Sequence, residues 1–212
     1  MCCGVSQHGI LLFQHYPVAQ VGSTRVAVYD GRLLARSQPR SQKMLNLITS
    51  LQHAVLQAAQ NYYRLVILAG AQGSGKTAAL RQLSVAANYP LLNVNLELSR
   101  KLLDFSRAQR TQHVERQFRE LLLGCPEPVV LLDNIEILFD TALEIHPLRL
   151  LQACSRNRTL VASWNGACTA ESLTYAKPGH PEHLSLTHLK ASDVILLSPE
   201  TELSQPRKVT AS

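Results

Sequence analysis

Short unbroken apolar runs alternate along this chain with segments whose apolar residues recur at helical spacing. Such an alternation predicts buried strands joined by helices. From Lys43 to Asn61, residues Met44, Leu47, Ile48, Leu51, Ala54, Val55 and Ala58 fall on one helical face. That helix is expected to pack at the sheet edge just before the next strand. Leu65 to Ala69 is continuously apolar, the mark of a strand covered on both sides. A second helix runs through Ala78, Leu80, Leu83 and Ala86. It stops at Asn88-Tyr89-Pro90, because a proline pushes the residue before it out of helical geometry. Leu91 to Asn95 predicts a second strand, and Leu98 to Ser106 and Arg110 to Leu123 predict helices. Val129 to Leu132 is a third apolar run, closed by Asp133. Asn134 to Phe139 predicts the start of a helix, and His146-Pro147 to Ser155 another, with Pro147 in its first turn. Arg158 to Ser163 and Val194 to Leu197 predict the fourth and fifth strands. Tyr175 to His188 contains Lys177-Pro178-Gly179-His180-Pro181 and predicts a loop. The expected fold is α/β: a five-stranded, mainly parallel sheet flanked by helices in three layers.

The ends of the chain carry less pattern. Val21 to Tyr29 predicts a short strand followed by an Asp30-Gly31 turn, and Ser37 to Gln42 a polar linker. Residues 1–43 are expected to be an N-terminal extension, poorly ordered or preceding a true start at Met44. Residues 44–199 form the main domain, and residues 200–212 a polar tail. So little chain follows the fifth strand that no separate lid domain is expected, and with it no complete hexameric motor.

The turn after the first core strand carries the chemistry. Gly70-Ala71-Gln72-Gly73-Ser74-Gly75-Lys76-Thr77 matches G-x-x-x-x-G-K-[ST] in full, between a strand and a helix. This is a P-loop, so the expected fold is a P-loop NTPase. Glycine permits positive φ and close backbone approach, which lets successive N–H groups face phosphate oxygens. The helix N-terminus adds its positive end. Gly70 to Thr77, together with Ala78, are the expected nucleotide-binding residues. Lys76 reaches the β/γ-phosphates and the Thr77 hydroxyl ligates Mg²⁺. Asp133, at the carboxyl end of an apolar strand, has the position of a Walker B aspartate, the second half of the Mg²⁺ site. The expected ligands are therefore ATP and Mg²⁺.

Composition narrows the partners. The formal charge is +6, of which Arg25, Arg32, Arg36, Arg40 and Lys43 against Asp30 place +4 in residues 1–43. The main domain is thus nearly neutral, and with aromatics at only 5% it offers nucleic acid little to bind or stack on. Five scattered cysteines without a C-x-x-C pair suit reduced thiols rather than a disulfide framework or a zinc site. No apolar run approaches a membrane span and no signal peptide is evident, so a cytoplasmic protein without membrane contact is expected.

A family resemblance then emerges from several phrases: Leu92 to Ser99, Leu131-Leu132-Asp133-Asn134-Ile135-Glu136-Ile137-Leu138-Phe139, Pro147 to Gln152, Ser155 to Thr159, and Leu173 to Glu182. Together with the P-loop, over about Met44 to Ser198, the chain resembles BrxF, the small P-loop family of type 3 bacteriophage-exclusion (BREX) defence systems. The resemblance implies a bacterial cytosolic ATP-binding protein. It also implies partners among the other defence components: a large ATPase, a DNA methyltransferase and a phosphatase-like protein, with any association with DNA indirect.

Hydrolysis needs a group that orients water. Many P-loop ATPases of the AAA type place Glu directly after the Walker B aspartate, where this chain has Asn134. Glu136 is the nearest carboxylate and the candidate base, against a helix-surface or capping role; Asn134 is a candidate N-cap. Slow hydrolysis, with bound nucleotide acting as a switch, is the consequence. Asn165, or Ser163, at the end of the fourth strand is the candidate γ-phosphate sensor, against a plain Asn-Gly turn. The candidate catalytic set is Lys76, Glu136 and Asn165. Arg156 and Arg158, at the strand's opposite end, either complement a helix C-terminus or act across a boundary between self-associated subunits. His180, Glu182 and His183 lack a sensibly spaced further metal ligand. Asn95 and Glu97 sit where a small-molecule kinase would hold its acceptor. A kinase and a non-hydrolysing nucleotide-binding adaptor are therefore the rival functions.

Overall fold

The computed structural model describes residues 40–200, together with three short strands ahead of them. The chain divides into two compact units, Met1–Pro39 and Arg40–Ser212. In the first, β1 (Val18–Val21), β2 (Thr24–Tyr29) and β3 (Arg32–Leu33) form an antiparallel sheet in that order. The strand expected over Val21 to Tyr29 is thus β2, and the Asp30-Gly31 turn lies outside the described residues.

The second unit is built on a five-stranded sheet. Its strands are β4 (Leu65–Gly70), β5 (Leu91–Asn93), β6 (Val129–Asp133), β7 (Thr159–Asn165) and β10 (Ile195–Leu197). The order is β10-β4-β7-β6-β5 and every pairing is parallel. β4 and β6 are buried along their whole length. Side chains alternate across a strand, so Leu65, Ile67 and Ala69 enter one apolar cluster while Val66 and Leu68 enter the other. This two-sided burial explains why the parallel strands read as continuous apolar runs.

Two helices cover one face. In α1 (Arg40–Ala58), Leu47, Leu51, Ala54, Val55 and Ala58 are buried against Val66, Leu68, Val161 and Leu131. α1 therefore lies on the face of the sheet rather than at its edge, beside α2 (Lys76–Ala87), which buries Ala79, Leu80 and Leu83. It begins at Arg40, ahead of the linker expected through Gln42, because the polar Ser41-Gln42 pair sits on its exposed side. Asn88 ends α2 in the left-handed region, returning its N–H to Ser84 O.

The opposite face carries α3 (Val94–Leu102), α4 (Arg107–Leu123), α5 (Pro147–Cys154) and two 3₁₀ turns, Glu136–Phe139 and Thr141–Leu143. Here the pattern misled at one point. The second strand stops at Asn93 instead of Asn95, since Asn93 Oδ1 accepts the Leu96 N–H at 3.1 Å and caps α3. Val94, Leu98 and Leu102 are the buried helical stripe, and the polar alternation of Asn93, Asn95 and Glu97 had concealed it. The expected loop at Tyr175–His188 is also partly regular. β8 (Leu173–Tyr175) and β9 (Leu184–Leu186) pair as an antiparallel hairpin. Among the described residues no helix is long and apolar enough to cross a membrane.

Candidate functional site

The site begins where β4 delivers the chain to α2. Gly73 and Gly75 take φ of +79° and +93°, conformations that a side chain would strain. Lys76 is only 6% exposed. Its Nζ donates to the Gly70 and Ala71 carbonyls at 2.8 Å each and reaches Ser74 Oγ at 3.4 Å. Burial pulls the Lys76 pKa below the usual lysine value, against the opposing pull of the Glu136, Asp133 and Glu200 carboxylates. The ammonium is thus poised among loop oxygens that a bound phosphate would replace.

Thr77, in the first turn of α2, donates from Oγ1 to Asp133 Oδ1 at 3.2 Å. Asp133 is buried at the carboxyl end of β6, and β7 separates β6 from β4. A hydroxyl and a carboxylate side by side at the phosphate loop are the hard oxygen donors that Mg²⁺ takes, so this pair fits the ion.

After Asp133 the backbone does not start a helix. Asn134 has φ +53°, so it is no N-cap, and Glu136–Phe139 is a single 3₁₀ turn. Both polar backbone groups of Asn134 are held. Its N–H donates to Ser163 Oγ at 3.2 Å, and its carbonyl accepts the Asn95 N–H at 2.8 Å. The pinned reversal turns Glu136 toward the end of β7, where Asn165 Nδ2 donates to Glu136 Oε1 at 2.5 Å. Ile135, Leu138 and Phe139 are buried beneath this turn. The Phe139 ring stacks on Tyr175 with centroids 3.4 Å apart and meets Trp164 edge-on at 4.7 Å. Glu136 therefore stands on an aromatic base.

The phosphate-loop crevice has a volume of about 640 Å³. Gln72, Gly73, Gly75, Lys76, Thr77 and Ala78 line one side, and Asp133, Asn134, Glu136, Ser163 and Asn165 the other. Gly70, Ala71 and Ser74 act from behind through their bonds to Lys76. Every residue expected at the site is thus brought into one place. Arg81 and Gln82 line it as well. Sequence reading passed over them, although Arg81 follows Thr77 by four residues on the same helix, and so shares its face. A polar cavity of about 470 Å³ adjoins at Glu136 and Asn165, lined further by Asn95, Tyr175, His180 and Glu182. Glu97 stays outside both cavities and pairs with Arg100 at 3.2 Å.

The remaining candidates have other partners. Arg158 Nη1 donates to the Leu122 and Cys125 carbonyls at 2.5 and 2.6 Å and closes the C-terminal end of α4. The guanidinium of Arg156 lies over the Tyr62 and Tyr63 rings, 5.3 and 5.8 Å from their centroids. His180 Nδ1 accepts the Glu182 N–H at 3.2 Å, and His183 Nδ1 bonds the Tyr175 carbonyl at 3.1 Å.

The fold and its loop define the chain as a P-loop NTPase in architecture: a parallel sheet with the phosphate loop and the Walker B aspartate at the carboxyl ends of its strands. No family model and no curated protein matches the chain. Among solved structures it is similar to one titled "Structure of C. elegans PCH-2", with 19% identity and a TM-score of 0.32, over 79% of this chain and 41% of that one. The chain thus spans about two-fifths of that protein's length, and a likeness at this TM-score carries no argument about function.

Proposed function

We propose that this chain binds ATP with Mg²⁺ and hydrolyses it slowly, as the P-loop component of a BREX-type phage-defence complex in which nucleotide state controls partner assembly. The observation that carries the nucleotide half is the convergence of Lys76, the Thr77–Asp133 pair and the Glu136–Asn165 pair on one crevice. Bound Mg²⁺ would neutralise charge on the phosphates. Lys76 neutralises further charge, Asn165 contacts the terminal phosphate, and Glu136 takes the proton of the attacking water. While Glu136 accepts from Asn165, one carboxylate oxygen is engaged, which favours slow turnover and a switching role. The defence assignment rests on the sequence resemblance to BrxF. Its expected partners are a large ATPase, a DNA methyltransferase and a phosphatase-like protein, with DNA reached only through them.

The test is co-purification of the chain with those partners, with and without ATP. Lys76→Ala removes a charged donor worth about 1.5–3 kcal/mol, so ATP affinity should fall roughly tenfold or more. Partner recovery should then lose its dependence on ATP. If titration calorimetry detects no ATP binding to the free or partner-bound chain, the proposal fails.

A second reading, phosphoryl transfer to a small acceptor, is favoured by the polar cavity beyond Glu136. It predicts ADP formation that depends on an added low-molecular-weight hydroxyl compound instead of on a protein partner.

A further inference from the structure

Three cavities surround the phosphate loop, and the residues they share give a bound nucleotide its direction. The crevice over Lys76 and Thr77 is the middle one. The polar cavity shares Glu136 and Asn165 with it, so it continues from the terminal-phosphate end. A third cavity, of about 460 Å³, lies between the first turns of α1, the loop and Pro199. It shares Gly73 and Gly75 with the crevice, but includes neither Glu136 nor Asn165. A nucleotide is a linear ligand, so whatever lies on the α-phosphate side belongs in this third cavity.

Its chemistry differs from that of the other two. Apart from the loop, the lining is Lys43, Met44, Leu47 and Pro199. Met44 and Pro199 bracket the loop closely. Met44 Cε lies 3.7 Å from where a Cβ on Gly75 would sit, and Pro199 Cδ lies 3.3 Å from that of Gly70. A thioether is polarizable and packs favourably on an aromatic ring. No side-chain carboxylate or amide lines this cavity to read the polar edge of a base. Lys43 brings the single side-chain charge, a donor without acceptor capacity.

We infer that this cleft is the nucleobase site, in which Met44 packs on the flat face of a purine whose polar edge goes largely unread. The inference rests on the nucleotide-binding reading above and adds to it a place and a mode of recognition for the base. It gives α1 a role in ligand binding, and it makes the site tolerant of either purine.

Comparing ATP with inorganic triphosphate, both with Mg²⁺, separates base from phosphates in the full-length chain. Met44→Asp puts a charge against the ring and should weaken ATP about tenfold or more. Triphosphate affinity should stay within about twofold, since the loop is untouched. Met44→Leu conserves volume and should keep ATP within about threefold. GTP should bind the wild type within about tenfold of ATP. An ATP-to-triphosphate affinity ratio left at the wild-type value by Met44→Asp overturns the base site alone, as does a preference of about a hundredfold for one purine. If the wild type binds neither ATP nor triphosphate, the nucleotide reading itself falls, and the base site with it. Should Met44→Asp fail to fold, Met44→Ala replaces it, with the same ratio as readout.

Discussion

Asn165 Nδ2 donates to Glu136 Oε1 at 2.5 Å, joining residues 29 positions apart at the mouth of the phosphate crevice. Two candidates reached independently, a base and a sensor, are thus one unit. The bond gives terminal phosphate a direct lever on the base. If the Asn165 amide turns toward a phosphate oxygen, the Glu136 carboxylate is released. Glu136→Gln should leave ATP affinity nearly unchanged and lower phosphate release by about 100-fold or more, the range for losing a general base. Asn165→Ala should lower turnover too, while sparing binding. Phosphate release alongside calorimetric affinity checks both; turnover in Glu136→Gln equal to wild type would remove Glu136 from the mechanism.

The Thr77–Asp133 contact at 3.2 Å predicts how the metal enters. In the wild type, chelating Mg²⁺ should weaken ATP binding. Asp133→Asn keeps shape but removes the charge that a hard cation seeks. That variant should bind ATP with nearly the same affinity in Mg²⁺ and in chelator. Calorimetry in the two buffers is the measurement, and a metal dependence that survives in Asp133→Asn would contradict the assignment.

The hairpin is locked to the end of β7. Trp164 Nε1 donates to Thr174 O at 2.8 Å, and a Cβ on Gly166 would meet that same oxygen at 1.8 Å. Backbone must therefore move in Gly166→Ala. An overpacking cost of about 1–3 kcal/mol is expected, which lowers the melting temperature by several degrees. Trp164 is the single tryptophan and is fully buried, so its emission should shift red in this variant before the cooperative transition.

Tyr175 supplies a pH signature. Burial, helped by the Glu182 and Glu136 carboxylates, pushes its phenol pKa up to about 12. Below pH 10 the folded and unfolded chains both keep the proton. Between pH 10 and about 12 the unfolded chain loses it first, so stability falls as pH rises through that window. Tyr175→Phe removes this contribution. Denaturant midpoints measured from pH 9 to 12 should fall less steeply in the variant, and parallel slopes would show that Tyr175 does not titrate there.

Local signals were enough for the phosphate loop, because its requirements are local: glycines for backbone conformation, then Lys76 and Thr77 at the start of a helix. Continuous apolar runs likewise revealed the buried parallel strands, since a strand covered on both faces has no polar side to show. Strand order was not legible. β7 lies between β4 and β6 although it follows both in the chain, and that insertion is what sets Asn165 and Ser163 beside the turn after Asp133. The left-handed Asn134 was equally hidden, for it is held by partners remote in sequence, Ser163 and Asn95. The sequence by itself determined that this chain has a phosphate loop, a Walker B aspartate and an α/β sheet, each being a property of neighbouring residues. Only the tertiary structure decided that Glu136 faces Asn165 and that Met44 closes over the loop, because both contacts depend on how separate strands and helices are stacked.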